Sequence, residues 1–350
     1  YNGFCRDRNQ PSLSNVESVV RFKNPLHGQV VVNDLVQGKV VFQNEELDDL
    51  IIARADGSPT YNLTVVVDDM DMKITDVIRG DDHLNNTPRQ INILSALGIS
   101  QPNYTHIPMI LGANGKKLSK RDGESSVLKY RNEGYLPSAL LNYLVRLGWS
   151  KSDQEIFSIN EMISEFDLRN INKSASFIDP KKLLWLNQYY LKNTDNKIIA
   201  KILKAIFDDM NLPIDRGPNL DDLIDVQKQR MDTVKDIAEK SIFFYKDFEQ
   251  YDIKQAEKYL QPIILEPLKT LYNEFKNSDS WDNKSISDII NDSINKYKIN
   301  MSKLSQPLRV AVTGSNISPS IDDTLRLLGQ EKSLDRLSNA INFIENYSVS

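Results

Sequence analysis

The spacing of apolar residues changes near Pro137, and that change restricts the possible architectures more than any other feature of the chain. Upstream, β-branched residues come in short runs. The segment Gly28–Phe42, GQVVVNDLVQGKVVF, holds two valine-rich stretches around a polar, glycine-containing break, which predicts a pair of strands. Leu50–Arg54 (LIIAR) and Ile74–Gly80 (ITDVIRG) predict two more. Between them, Pro59–Met72 reads as a helix with Ser58 as its N-cap and Pro59 in its first turn. Thr87–Gly98 (TPRQINILSALG) predicts a further helix, from its early proline, the spacing of Ile91, Leu94 and Leu97, and its closing glycine. Downstream the period is helical. Pro137–Trp149 sets Leu140, Leu141, Leu144, Val145 and Leu147 on one stripe. The runs beginning at Asp179, Asn196, Asp221 and Ser320 repeat that spacing, separated by turn material such as Pro213–Asn219. The expected fold class is α/β followed by all-α.

A chain of 350 residues is long enough for two or three domains with cores of their own. Its 43 basic and 48 acidic residues leave a net charge of −5, so any nucleic-acid surface must be a local patch. Cys5 is the only cysteine, which excludes an internal disulfide and fits a reducing cytoplasm. No apolar run approaches the roughly 20 residues of a membrane span, and the opening residues do not read as a signal peptide. We therefore expect a cytoplasmic protein with no membrane partner.

Two stretches carry candidate chemistry. In Ile110–Ser126, ILGANGKKLSKRDGESS, the cations Lys116, Lys117, Lys120 and Arg121 lie between Gly115 and Gly123. A bendable loop with paired lysines suits a polyphosphate, whose developing charge the cations can neutralise. Ser119 can hydrogen-bond a phosphate oxygen or cap a turn. The same residues also fit a solvated surface turn. The related string Asn300–Ser305 (NMSKLS) shows how cheap a short match is, since it lacks both the leading lysine and the glycines.

In Thr75–Gln90, TDVIRGDDHLNNTPRQ, a β-type run delivers Arg79, Asp81, Asp82 and His83 to its C-terminal end, where open α/β sheets bind ligands. Arg79 can grip a carboxylate bidentately, and Asp82 can accept hydrogen bonds from a ribose or an amine. Asp81 reads better as a cap of the following helix. His83 reads as a hydrogen-bonding residue, because no second His or Cys stands at ligand spacing. Tyr61, at a helix start, can meet a small polar substrate or serve the core. Asp68 and Asp69, adjacent on a helix, read as surface or capping groups.

Taken together, DGSPTYNLTVVVDDMDMKITDVIRGDDH, TPRQINILSALG, KKLSKRDG and GYLPSALLNYLVRLGW closely resemble bacterial glutamyl-tRNA synthetases, which are class I aminoacyl-tRNA synthetases. FIDPKKLLWLNQYYL and PLRVAVTGSNISPSIDDTLRLLGQEKSLDRL look like the family's helical tRNA-reading half. The resemblance implies a partial class I Rossmann-type catalytic domain, then helical stem-contact and anticodon-binding domains. Expected boundaries are 1–126 for the C-terminal part of the catalytic domain with a remnant of the acceptor-binding insertion, 127–195 for the stem-contact region and 196–350 for the anticodon-binding domain. It implies activation of L-glutamate by ATP to glutamyl-adenylate, then transfer to the 3′ end of tRNA(Glu). The family's Lys-Met-Ser-Lys loop corresponds to Lys117-Leu118-Ser119-Lys120, followed by Arg121. By matching, Lys120 contacts the ATP phosphates with Ser119 and Arg121 beside it, Lys117 supports it, Arg79 and Tyr61 bind glutamate, and Asp82 lies beside the nucleotide. Mg²⁺ enters with ATP, held by phosphates and water. No protein-bound metal is expected, zinc included, although some relatives bind zinc through cysteines near the position of Cys5. A monomer is implied.

The sequence departs from the family in two places. Asp81 stands where the family's Arg-Gly-Glu-Asp-His has glutamate. The family's His-Ile-Gly-His motif has no counterpart around His27, His83 or His106, so the chain is expected to lack its first portion and to activate no glutamate alone. ATP–pyrophosphate exchange by the 350-residue polypeptide would overturn that expectation. Three other readings compete. A relative that glutamylates a queuosine base matches only the catalytic half, and the long helical stretch after Gly148 argues against it. Glutaminyl-tRNA synthetase carries a β-barrel anticodon part where this chain reads helical. A noncatalytic tRNA-binding or scaffolding protein derived from a synthetase remains the alternative.

Overall fold

The computed structural model describes residues 1, 3–7, 17–112, 114–118, 126–151 and 153–347. The chain divides into two units, Tyr1–Ser125 with Leu141–Pro180, and Ser126–Leu140 with Lys181–Ser350.

The first unit holds the predicted strands. Val20–Arg21 (β1) pairs antiparallel with Ile51–Ala53 (β4). Gln29–Asp34 (β2) and Gly38–Gln43 (β3) form the expected antiparallel pair. They join Asp76–Gly80 (β5) and Asn103–Ile107 (β6) in a four-stranded sheet of order β3-β2-β6-β5, in which β6 runs parallel to both neighbours. Along β2 the buried residues alternate as Val30, Val32 and Asp34, so a carboxylate occupies the phase that the valines set. Helices Tyr61–Asp71 (α1) and Thr87–Ala96 (α2) bury Val66, Ile93 and Leu94 together, with Phe22, Ile52 and Leu63 at the margin. Ile110–Leu111 (β7) pairs parallel with Ser176–Phe177 (β8).

The cap of α1 is a correction. Thr60, not Ser58, occupies that position, and Pro59 lies outside the helix, bridged to Ala53. Thr60 spends its hydroxyl on the Ile51 carbonyl at 2.7 Å, pinning the helix start to β4 rather than closing its own first turn. Asp81 caps nothing either: Gly80 is the N-cap of the 3-10 turn Asp81–Asn86 and no side chain satisfies it.

Val127–Asn132 (α3) precedes Pro137–Gly148 (α4), whose buried side is also a correction. Leu141 and Leu144 are exposed, and the buried positions are Ala139, Asn142 and Tyr143. Asn142 accepts the Phe157 N–H at 2.7 Å and donates to the Glu155 carbonyl at 2.9 Å. Its amide replaces a strand-like ladder for that segment, so the helix turns a polar residue inward. Ile159–Glu165 (α5) follows, closed at its start by a Ser158–Glu161 capping box.

The second unit is helical among its described residues. Pro180–Asn193 (α6) and Asn196–Asp209 (α7) match the predicted runs. The stretch from Asp221 reads as one continuous period but folds as Leu220–Gln227 (α8), Val234–Lys240 (α9) and Ile242–Tyr245 (α10). The break comes where Thr233 and Asp236 form a capping box, which restarts the chain as a new helix. Ile253–Tyr259 (α11), Leu265–Lys276 (α12), Asn283–Tyr297 (α13), Met301–Thr313 (α14), Ile321–Leu328 (α15) and Gln330–Tyr347 (α16) complete it. One core unites them, including Leu136, Leu203, Phe207, Leu268, Leu308 and Leu325. Arg336 lies inside, donating to the Val312 and Phe243 carbonyls and to Asp247 at 2.6 to 2.8 Å. The string NMSKLS is the start of α14: Asn300 caps it by accepting the Lys303 N–H, and Leu304 is fully buried. Its lysine serves no loop.

Candidate active site

Parallel pairing sets the site. In the β5–β6 register Arg79 stands beside His106, and in the β2–β6 register Asp34 stands beside Tyr104, two residues before His106. The result is a row across three strands. Asp34 Oδ2 accepts the His106 backbone N–H at 2.9 Å and lies 2.7 Å from His106 Nδ1. Arg79 Nε donates to His106 Nε2 at 3.2 Å, and Arg79 Nη2 donates to Thr87 Oγ1 at 2.7 Å and to Gln90 Oε1 at 2.8 Å. Gln90 in turn donates to Asn62 on α1. The guanidinium sits over the Tyr104 ring, 5.7 Å from its centroid, and burial pushes the Tyr104 hydroxyl up to about 12. Nη1 of Arg79 has no hydrogen-bond partner among the described residues. The expected two-nitrogen fork is thus spent inside the protein, and Arg79 offers a ligand one amine with two hydrogens.

Burial holds the His106 pKa below the ordinary histidine value, while Asp34 pulls it the other way. Because the neutral ring is the form the fold favours, its contribution to stability is whole above the unfolded value of about 6.5 and is lost as pH falls through the folded one. Thermal melts between pH 8 and 5 are expected to show stability falling below about pH 6.5, with a shallower fall in His106→Asn. Equal slopes in the two proteins would contradict this.

At the sheet's edge beyond Arg79, Lys117 Nζ donates to Asp82 Oδ2 at 2.7 Å, and this partner holds the Asp82 carboxyl below the usual carboxylate range. Lys117 is presented by a tight turn: Gly115 sits at φ +75°, Gly112 N–H reaches the Lys116 carbonyl, and Lys117 bridges Leu111. Gly80 makes room for the carboxylate, because a Cβ there would lie 2.6 Å from Asp82 Oδ1. Gly80→Ala is therefore expected to leave the melting temperature within a few degrees while swinging Asp82 off Lys117, read in an NMR titration as a return of the Asp82 carboxyl toward the usual carboxylate range. Tyr61, half exposed, brings its hydroxyl to 3.3 Å from His83 Nδ1. Asn86 Nδ2 approaches the same nitrogen at 3.3 Å, which makes His83 the hydrogen-bonding residue its sequence setting implied. Asp69 is half buried rather than a surface group, and desolvation raises its carboxyl above the usual range.

Of the residues singled out from sequence, the structure brings Lys117 to Asp82 and places Arg79 and Tyr61 at the same end of the sheet unit. Ser119, Lys120 and Arg121 lie outside the described residues. Asp34, His106, Thr87 and Gln90 went unnoticed in the sequence. One signal was available: Asp34 continues the buried phase of Val30 and Val32, where an unpaired carboxylate would be costly.

Residues 4–185 match the family described as tRNA synthetases class I (E and Q), catalytic domain, and residues 190–341 match an anticodon binding domain. The chain belongs to the glutamate–tRNA ligase family of class I tRNA synthetases. A glutamate–tRNA ligase of Coxiella burnetii is 52% identical over 98% of this chain and 73% of its own length. One from Legionella pneumophila is 49% identical, again over 98% of this chain and 73% of its own length. Among solved structures, a glutamate tRNA ligase from Elizabethkingia meningosepticum, determined in complex with its amino acid, superposes with a TM-score of 0.78 at 32% identity, covering 93% of this chain and 68% of that one. A glutamate–tRNA synthetase from Elizabethkingia anophelis gives 0.74 at the same identity and coverage. The synthetase's mixed sheet and helical anticodon-binding part are those of this family.

Proposed function

We propose that this synthetase attaches L-glutamate to the 3′ end of tRNA(Glu) in protein synthesis. The supporting observation is its 52% identity, over 98% of the chain, to a relative named as a glutamate–tRNA ligase. A carboxylate oxygen of glutamate attacks the α-phosphorus of ATP. The bond to the β-phosphate breaks, giving glutamyl-adenylate and pyrophosphate. A hydroxyl of the terminal adenosine of the tRNA then attacks the acyl carbon and AMP leaves. Neither step requires a general base from the protein, so the side chains act by position and charge.

Nη1 of Arg79 meets the glutamate carboxylate, and Tyr61 lines the same place. Lys120, with Ser119 and Arg121, contacts the ATP phosphates. Lys117 assists after exchanging Asp82 for phosphate, an exchange of one anionic partner for a stronger one. Asp82, so released, faces the nucleotide. Mg²⁺ enters with ATP as part of the substrate, held mostly by phosphates and water. Residues 127–195 contact the tRNA stem and 196–350 its anticodon. We place the enzyme in the cytoplasm as a monomer; no helix among the described residues is long and apolar enough to cross a membrane.

The test is incorporation of labelled L-glutamate into tRNA by the protein carrying this chain, with Lys120→Ala as the variant. Charging is expected to slow by about a hundredfold through kcat, with the glutamate KM little changed. Charging of the variant at the original speed, or equal use of glutamine by the parent, would sink the assignment.

A further inference from the structure

The row Asp34–His106–Arg79 admits only one arrangement of protons. Arg79 Nε carries a hydrogen and can only donate. His106 Nε2, 3.2 Å away, must therefore accept and be bare. The single proton of the neutral ring then sits on Nδ1, facing Asp34 Oδ2 at 2.7 Å. The carboxylate is itself held by backbone: Oδ2 accepts the His106 N–H at 2.9 Å, and Oδ1 accepts the N–H groups of Val36 and Gln37 at 2.9 and 2.7 Å. Both side chains of the Asp34–His106 pair are fully buried. Gln37 closes the row from above by donating to the His106 carbonyl. Rigid backbone therefore fixes the carboxylate, the carboxylate fixes the imidazole tautomer, and the tautomer fixes Nε of a guanidinium in which only Nη1 lacks a partner among the described residues.

We propose that Asp34 and His106 are positioning residues for the substrate carboxylate: through one obligatory tautomer they hold Arg79 in a single pose, and a proton gained by His106 turns that hold into a repulsion. The proposal rests on the reading that Arg79 meets glutamate. Among the described residues, the charged and titratable groups facing His106 are Asp34 from β2, Arg79 from β5 and His83 from the 3-10 turn. Tyr104, on the same strand, stacks on the ring at 6.2 Å between centroids. From α2 come neutral groups, Thr87, with its hydroxyl 3.0 Å from Nε2, and Gln90 on the far side of the guanidinium. Protonation of Nε2 places a new N–H against Arg79 Nε–H and a second positive charge beside the guanidinium, and nothing in that list besides Asp34 offsets it.

Asp34→Asn separates this role from mere packing. The substitution keeps shape but puts an amide NH₂ among backbone N–H donors, so whichever way the amide turns, one donor faces another. With its NH₂ toward His106, the ring must accept at Nδ1 and carry its proton on Nε2, the wrong tautomer for Arg79, an effect of the kind a catalytic triad shows when its aspartate is replaced. The experiment uses the protein carrying this chain. Imidazole ¹⁵N NMR, with the His106 signals identified by their absence in His106→Asn, is combined with glutamate and ATP kinetics. Val32→Ala, on the same buried phase of β2, controls for lost stability.

At pH 7.5 the parent is expected to show a bare Nε2 and a protonated Nδ1. Asp34→Asn should move the proton to Nε2 and raise the glutamate KM about tenfold or more, while the ATP KM stays near that of the Val32→Ala control. The parent's glutamate KM should also rise as pH falls into the range where its own His106 signals titrate. A protonated Nε2 in the parent, or a glutamate KM in Asp34→Asn no higher than in the control, overturns the proposal. The two readings fail separately. If Arg79→Ala raises the glutamate KM and Asp34→Asn does not, the positioning role falls and the Arg79 contact stands. If Arg79→Ala leaves that KM unchanged, the contact itself falls and the positioning role goes with it.

Discussion

Arg79→Ala is expected to raise the glutamate KM of the synthetase by about a hundredfold, because a hydrogen bond to a charged group contributes up to about 3 kcal/mol. The effect should fall on glutamate and spare ATP, since the guanidinium's other nitrogens are engaged with His106, Thr87 and Gln90. Arg79→Lys is the informative companion. An ammonium keeps the charge but has one nitrogen where the guanidinium has three, so it cannot serve the protein acceptors and the substrate together. It should recover only part of the loss. Initial charging rates over a range of glutamate concentrations give both numbers. A KM within about threefold of the parent for Arg79→Ala, less than the smallest contribution such a bond makes, would remove Arg79 from the substrate site.

The largest expected loss of stability comes from Gly134→Ala in the helical unit. Gly134 sits at φ +79°, and a Cβ there would lie 2.4 Å from the backbone nitrogen of Lys235 and 2.9 Å from its Cβ. The approach is fixed from both sides, because the Gly134 carbonyl accepts the Val234 N–H at 3.0 Å just where the capping box starts α9. Neither backbone can give way without losing that bond. Strain at positive φ and overpacking together cost about 3 kcal/mol, which for a unit of this size lowers Tm by roughly 6 to 12 °C. Gly98→Ala isolates the strain: Gly98 has a similar φ of +72° but open space where its Cβ would go. Its cost should be about 1 kcal/mol. Calorimetric melts of the two variants that fall by equal amounts would show that the contact with Lys235 contributes nothing.

How legible the site was depended on the kind of residue. Arg79, Asp82 and Lys117 stand out in the sequence because charged groups beside glycines at a strand end or in a loop have few structural uses, and the structure pairs two of them. His106 does not stand out. It sits in Asn103–Ile107 between Thr105 and Ile107, and nothing local says that its ring is buried on a central strand with a carboxylate on one side and a guanidinium on the other. The polar residues inside the first unit share this property. Asn92 donates to both Asn24 and Asn44, and those partners come from segments far away along the chain. α4 shows the same limit: its leucine stripe is plain in the sequence, but the inward-facing amide of Asn142 is set by the distant Phe157 N–H that it accepts.

From the sequence alone came the order of α/β and helical parts, the membership of a synthetase family carried by its joined motifs, and the glycine-bounded turn that bears Lys116 and Lys117. Apolar period and turn residues are local properties, and an element records them whatever it packs against. The tertiary structure alone decided which carboxylate faces which imidazole and which edge of Arg79 remains for a ligand. Those facts follow from the register of parallel strands, whose neighbours are joined by crossovers rather than by tight turns. A buried donor is satisfied only by the acceptor that this register delivers, and no spacing along the chain encodes it.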